Sequence, residues 1–210
     1  MSNERNKKAN KFWNDFYENK DQIWSGNVNP HLVRIIETLE PGSALDLGCG
    51  EGGDAIWLAS RGWHVTAADI SEVALNRTKV LAEKQQVGNL VTLDQHDFEM
   101  SFPAGKFDLV SAQFLQSPLE FQRQSVLQKA AAAVSLNGIL LIVEHGGVPS
   151  FSEHTDHVFP SVEETYANLE LDRSKWEAVE VASLKRGING PSGEPATIID
   201  NVIVVKRIAS

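Results

Sequence analysis

The sequence predicts a doubly wound α/β fold, with a mostly parallel sheet carrying helices on both faces. Three observations carry that expectation. Short apolar runs alternate with stretches of helical period from Ala44 to Val143. A glycine-rich turn, Gly48-Cys49-Gly50-Glu51-Gly52-Gly53, links the first apolar run to the helix after it. The last two apolar runs are joined by only a short Gly/Pro-containing stretch, which favours antiparallel pairing at a sheet edge.

The elements follow in order. The first eight residues are polar and are expected to be disordered. From Ala9 to Glu18 the aromatics Phe12, Trp13, Phe16 and Tyr17 recur at helical spacing. Trp24 to Asn29 reads as a loop. Pro30 opens a helix with Leu32, Val33, Ile36 and Leu39 on its apolar face, stopped by Pro41-Gly42. Ala44–Leu47 is the first strand, and a helix runs from Asp54 to Gly62. Trp63–Ala68 is the second strand, ending at Asp69. Ser71 caps a helix that closes near Gly88. Leu90–His96 and Phe107–Phe114 are the third and fourth strands. Pro118 precedes a helix carrying Phe121, Val126, Leu127, Ala130 and Val134, and Asn137-Gly138 turns into Ile139–Val143, a run suited to burial on both faces. A short helix, Ser161–Leu169, and two strands, Trp176–Leu184 and Thr197–Val205, complete the chain. No repeat or linker interrupts it. One domain is expected, residues 1–41 forming a helical cap on an α/β core of residues 42–210.

Composition narrows the function. The 210 residues are 42% hydrophobic and 22% charged, ordinary values for a globular chain. The net charge of -9, with no basic run beyond the N-terminus, argues against a nucleic-acid or anionic-membrane partner. A single cysteine, Cys49, excludes an intrachain disulfide. With no signal-like segment and no membrane span, a cytoplasmic location is expected.

The glycine turn carries the chemistry. A strand ends, the chain bends on glycines that let a ligand approach the backbone, and a helix starts with its amides facing that ligand. Gly48, Gly50 and Gly53 also satisfy a dinucleotide pattern, which alone is unspecific. Asp69, with Ile70 after it, ends the second strand where an acid meets ribose hydroxyls. Asp46 discriminates between cofactors. It lies two residues before Gly48, where a nicotinamide cofactor would bring a pyrophosphate and the two negative charges would repel. A ligand with an ammonium group suits it, the turn amides taking that ligand's carboxylate. Asp46 ordering the loop through amides is a compatible reading. Asp97-Phe98, at the end of the third strand, offers an acceptor for an adenine amino group and an apolar wall for its ring.

Leu45-Asp46-Leu47-Gly48-Cys49-Gly50, Asp69, Asp97-Phe98 and Phe107-Asp108-Leu109-Val110 together resemble the successive signatures of the class I S-adenosylmethionine-dependent methyltransferases, over roughly half of the chain. That resemblance implies a Rossmann-like methyltransferase fold with a seven-stranded sheet and a reversed last strand. It implies S-adenosylmethionine as cofactor, bound by Trp13, Tyr17, Asp46, Gly48, Cys49, Gly50, Asp69, Ile70, Asp97, Phe98 and Gln113. Trp13-Asn14-Asp15-Phe16-Tyr17, Trp24 and Asn29-Pro30-His31 are similar to the small-molecule branch, which includes thiopurine and tellurite-resistance methyltransferases. In that branch an aromatic N-terminal helix covers the cofactor, and aromatic faces attract a sulfonium as they do other cations. Packing of the same aromatics as one helical face is the plainer alternative.

The expected function is therefore methyl transfer to a small acceptor: a thiol, a hydroxyl or a chalcogen oxyanion. Trp24, His31, Gln116 and His145 are expected at the substrate mouth. His145 is the candidate base, which a hydroxyl acceptor needs and a thiolate does not. After the fourth strand, Ser111-Ala112-Gln113-Phe114-Leu115-Gln116 lacks the Asp/Asn-Pro-Pro-Tyr/Phe signature of base and glutamine methylation. Cys49 reads as a small packing residue. Glu153-His154-Thr155-Asp156-His157 reads as a substrate-covering loop in preference to a metal site, so no metal is expected. A nicotinamide-dependent oxidoreductase and a non-catalytic S-adenosylmethionine-binding module are the alternatives.

Overall fold

The computed structural model describes residues 2–37, 39–152 and 158–210. The helices are α1 (Ser2–Glu18), α2 (Pro30–Ile36), α3 (Gly53–Ser60), α4 (Glu72–Lys84), α5 (Arg123–Ala132) and α6 (Val162–Ala167). The strands are β1 (Ser43–Leu47), β2 (His64–Asp69), β3 (Val91–Gln95), β4 (Phe107–Gln113), β5 (Val134–His145), β6 (Trp176–Asn189) and β7 (Pro195–Arg207).

Among the described residues these strands form one seven-stranded sheet in the order β3-β2-β1-β4-β5-β7-β6. β1 to β5 pair in parallel, and β7 runs antiparallel to both β5 and β6. The reversed strand is thus not the edge. It is inserted between β5 and β6.

Alternation along the central strands supplies both faces of the core. In β5, Leu140 and Ile142 join Leu45, Leu47, Val126 and Leu127 on one face. Ile139, Leu141 and Val143 join Leu32, Leu58, Leu109 and Trp63 on the other. An unbroken apolar run is what such a doubly covered strand requires. Local signals fix the helix starts. The Asn29 side chain accepts from the His31 amide ahead of α2, Ser71 accepts from Ala74 at α4, and Ser161 with Glu164 forms a capping box at α6.

Four expectations needed correction. The N-terminal helix starts at Ser2, not Ala9. Its polar residues are tied down rather than disordered: Arg5 Nη2 reaches Glu99 Oε1 at 3.1 Å, Asn10 donates to the Ile70 carbonyl at 2.8 Å, and Ser71 donates to Asn14 at 2.7 Å. The helix expected from Pro118 starts at Arg123, leaving residues 114–122 as a loop. Val134 belongs to β5. Asn137-Gly138 makes an irregularity within that strand instead of a turn before it, with Asn137 at φ 67° and the register shifting between Phe107 and Leu109. The last two strands also run longer than expected, because each pairs along nearly its full length with the other.

Asp46, Asp69, Gln113 and His145 all lie at the C-terminal ends of parallel strands, on the sheet edge where ligands bind in such folds. Among the described residues no helix is long and apolar enough to cross a membrane.

Candidate functional site

A cavity of about 760 Å³ opens over that edge, under α1 and the 20–30 loop. This volume lies within the range of small-molecule sites. Its first end is built by the glycine turn. Gly48, Gly50 and Gly52 have φ of 72°, 55° and 82°, conformations that residues with a Cβ rarely adopt. Space is short as well. A Cβ on Gly48 would lie 2.7 Å from Leu115 Cδ1, and one on Gly50 would lie 3.0 Å from the Tyr17 hydroxyl.

The electrostatics of this end are distinctive. Asp46, Asp54 and Asp69 line the cavity, and no ion pair neutralises any of them among the described residues. Asp46 is 3% exposed, and its Oδ2 has no hydrogen-bond partner. Burial, then the nearby Asp54 and Asp69, push its carboxyl well above the usual range, against one bond from the Ala55 backbone. Burial raises Asp54 to about 6, although it accepts from the Asn29 amide at 2.7 Å. Asp69 is also raised by burial, while accepting from the Gly50 and Ser71 amides at 3.0 and 2.9 Å. Three crowded carboxylates with a free oxygen favour a positively charged ligand group.

Four amides of the turn are used within the protein. Gly48 and Cys49 donate to the Ala68 carbonyl at 2.8 and 3.0 Å, Gly50 donates to Asp69, and Gly52 donates to the Cys49 carbonyl at 2.9 Å. They hold the turn against β2 and are not free for a ligand carboxylate.

Aromatic residues cover this end. Tyr17 is 4% exposed, Trp24 Nε1 donates to its hydroxyl at 3.3 Å, and Trp13 lies 6.4 Å from the Tyr17 ring. Burial and the Asp69 charge keep the Tyr17 phenol protonated. Glu51 fixes the covering loop by accepting from the Ile23 and Trp24 amides, and Arg77 binds Glu51 at 2.6 Å and the Tyr17 and Lys20 carbonyls. Ile70, Asp97 and Phe98 line the same cavity. Asp97 accepts from the Glu99 amide at 3.0 Å, and Phe98 is packed in the core against Phe102. Gln113 donates to Ser111, and its Oε1 is buried without a partner. Burial raises the Cys49 thiol well above its ordinary value, so it stays protonated, consistent with a packing residue.

The other end gathers Phe114, Leu115, Gln116, His145, Arg186 and Gly187. Phe114, at φ 50°, turns the chain out of β4, and its ring centroid lies 4.4 Å from that of His145. Burial lowers the His145 pKa, with Asp200 opposing and Arg186 adding to the shift, and its Nδ1 is buried without a partner. Arg186 Nε and Nη2 donate to Asp200 at 2.5 and 3.2 Å. Burial alone would raise Asp200; its bonds with His31 and Arg186 outweigh that and hold it below its ordinary value.

His31 is the one expected mouth residue that does not line the cavity. Its ring is 8% exposed and lies 3.1 Å from Asp200, behind the wall. The Asn29 cap and Pro30 set α2 so that this ring points at β7 instead of the opening. His154 and His157 lie outside the described residues. No cluster able to hold a metal occurs among the described ones.

Residues 44–138 match the family described as "Methyltransferase domain". The 2-heptyl-1-hydroxyquinolin-4(1H)-one methyltransferase of Mycobacteroides abscessus is 32% identical over 135 residues, covering 60% of this chain and 58% of that protein. "Probable thiol methyltransferase 2" of Arabidopsis thaliana is 33% identical over 101 residues, covering 47% and 45%. The chain thus spans about half the length of these two relatives. The structure of TehB from Haemophilus influenzae superimposes with a TM-score of 0.68 at 18% identity, over 93% of this chain and 67% of that one. Residues 44–138 are thus similar to the methyltransferase-domain family, and the seven-stranded sheet has the Rossmann-like methyltransferase fold.

The residues present fit S-adenosylmethionine, the cofactor of that family. S-adenosylmethionine carries an ammonium and a sulfonium, and the glycine turn offers an unpaired buried carboxylate oxygen at Asp46 with aromatic faces nearby. Sequence reasoning missed Glu51, Asp54, Arg77, Arg186 and Asp200. Glu51 and Asp54 stood beside the turn and were legible as acids. Nothing local marks Arg77, Arg186 or Asp200: Arg77 meets Glu51 across 26 residues, and Arg186 meets Asp200 only through the pairing of β6 with β7.

Proposed function

We propose that the protein transfers a methyl group from S-adenosylmethionine to a small-molecule acceptor: a thiol, a hydroxyl or a chalcogen oxyanion. Asp46 carries the proposal, as a buried carboxylate with one oxygen unpaired at a turn shaped by glycines. When bound, the cofactor supplies a methyl carbon on a positively charged sulfur, which an acceptor lone pair displaces in line while the carbon–sulfur electron pair returns to sulfur.

The protein's part is positioning. Asp46 binds the ammonium, Asp69 the ribose hydroxyls, and Asp97 with Phe98 the adenine. Trp13, Tyr17 and Trp24 exclude water above the sulfur. Gln113 offers its unpaired Oε1 beside the reacting region. Burial keeps the His145 imidazole neutral near pH 7, available to take a proton from a hydroxyl acceptor. The names of the two relatives, an N-hydroxyquinolone methyltransferase and a thiol methyltransferase, support small acceptors. The net charge of -9 disfavours nucleic acid.

Titration calorimetry with S-adenosylhomocysteine tests the cofactor half. Saturable binding is expected from the wild type, with none by NADH. Methyl transfer from labelled S-adenosylmethionine to a panel of thiols, phenols and chalcogen oxyanions tests the rest. Cofactor binding with no transfer to any of them would favour a binding module instead.

A further inference from the structure

The cavity is polar in a second sense. Seven carboxylate residues line it, and Arg186 is the one lysine or arginine among its described lining residues. Of the seven, Glu51, Glu99 and Glu120 are paired with Arg77 or Arg5, which leaves Asp46, Asp54, Asp69 and Asp97 without an ion pair among the described residues. Arg186 stands at the other end, beside Phe114 and His145.

Its guanidinium is held in place. Nε and Nη2 donate to Asp200, a fully buried carboxylate behind the wall, which also faces His31 Nε2 at 3.1 Å. The guanidinium carbon lies 5.9 Å from the Phe114 ring centroid. A guanidinium has five N–H donors. The two bonds to Asp200 leave the others, including both on Nη1, without a partner among the described residues. Asp200 anchors the fork, and the Arg186 side chain, a quarter exposed, lines the cavity. A pre-oriented fork of this kind recognises carboxylates and other oxyanions better than a mobile lysine would.

We infer that the methyl acceptor carries an anionic group and that Arg186 binds it, turning the reacting atom toward the cofactor end. The inference rests on the methyltransferase reading and names its acceptor class. Leu115 and Phe121 flank the same space and provide apolar contact for the body of the acceptor.

The test uses the full chain saturated with S-adenosylhomocysteine, and reads binding of 3-mercaptobenzoate against its neutral isostere 3-methylthiophenol by calorimetry. The wild type should bind the acid about tenfold more tightly or better. Arg186→Met should abolish that preference without changing affinity for S-adenosylhomocysteine, and Arg186→Lys should keep part of it. Failure of the wild type to bind S-adenosylhomocysteine would remove the underlying methyltransferase reading. Binding of that ligand without any preference for the acid, including no binding of either probe, would overturn only the role of Arg186. Weaker S-adenosylhomocysteine binding by a folded Arg186→Met would also overturn it, reassigning the arginine to the cofactor carboxylate. The wild-type preference needs no variant, so misfolding of Arg186→Met leaves the test intact.

Discussion

The two ends of the cavity solve opposite electrostatic problems. Around the glycine turn, Asp46, Asp54 and Asp69 are crowded and uncompensated, and their carboxyl pKa values are raised. Beneath the other end, Asp200 is as deeply buried, yet His31 and Arg186 hold its carboxyl low. The first end leaves Asp46 Oδ2 without a partner among the described residues. The second is complete in itself and presents a fixed cation. Burial of a carboxylate therefore predicts neither strain nor stability until its partners are counted.

The contrast has measurable consequences of opposite sign. The largest is expected at Asp200. Asp200→Asn leaves Arg186 without its counter-charge and should destabilise the fold by about 3 kcal/mol at pH 7, read by urea unfolding. A lowered carboxyl contributes stability above its ordinary value near 3.8 and loses it as pH falls, so the difference from wild type should shrink toward pH 3. A difference that persists unchanged there would break the comparison.

Asp46→Ala should act in two directions. Affinity for S-adenosylhomocysteine should fall about 100-fold by calorimetry, while the melting temperature of the ligand-free protein should rise, since a buried carboxyl with an unsatisfied oxygen is removed. A fall in both would mean that Asp46 mainly orders the turn.

Asp54 gives a smaller effect with the reverse pH dependence of Asp200. Burial raises it from 3.8 to about 6, so its contribution to stability is full below pH 4 and lost as pH climbs through 6. Asp54→Asn keeps an acceptor for the Asn29 amide and should gain roughly 2 kcal/mol over wild type at pH 7, but little at pH 4, in paired urea titrations. Equal gains at both pH values would remove Asp54 from the strained end. Least of all is expected from Lys11→Ala, which breaks an exposed pair with Asp15 on the outer side of α1 and should leave the melting temperature unchanged. A clear shift there would mean that surface charge, and not the cavity ends, governs stability.

The same contrast explains what could be read from the sequence. The glycine-turn end is written in one contiguous stretch, Leu45 to Gly53, with Asp69 and Asp97 at successive strand ends, and strand–helix alternation alone brings these together. The opposite end draws on Phe114, His145, Arg186 and Asp200, from four segments joined by pairing of β4, β5, β7 and β6. His31 was misread for that reason, since its partner lies 169 residues away. The start of α1 was misread because polarity stood for disorder, although Arg5 is polar in order to bond across to Glu99 and the Glu120 carbonyl. The bonds of the Gly48, Cys49 and Gly50 amides to Ala68 and Asp69 depend on where β2 docks, which spacing does not reveal.

The insertion of β7 between β5 and β6 also bears on biosynthesis. While the ribosome is still making β6, the strand that must bridge it to β5 does not exist, so that 14-residue segment emerges with its hydrogen-bonding edges bare. The five parallel strands can assemble as they are made, but the wall bearing Arg186 closes only once β7 has left the exit tunnel. Nascent chains stalled before Pro195 should therefore hold a formed glycine turn beside an unfinished, aggregation-prone flank.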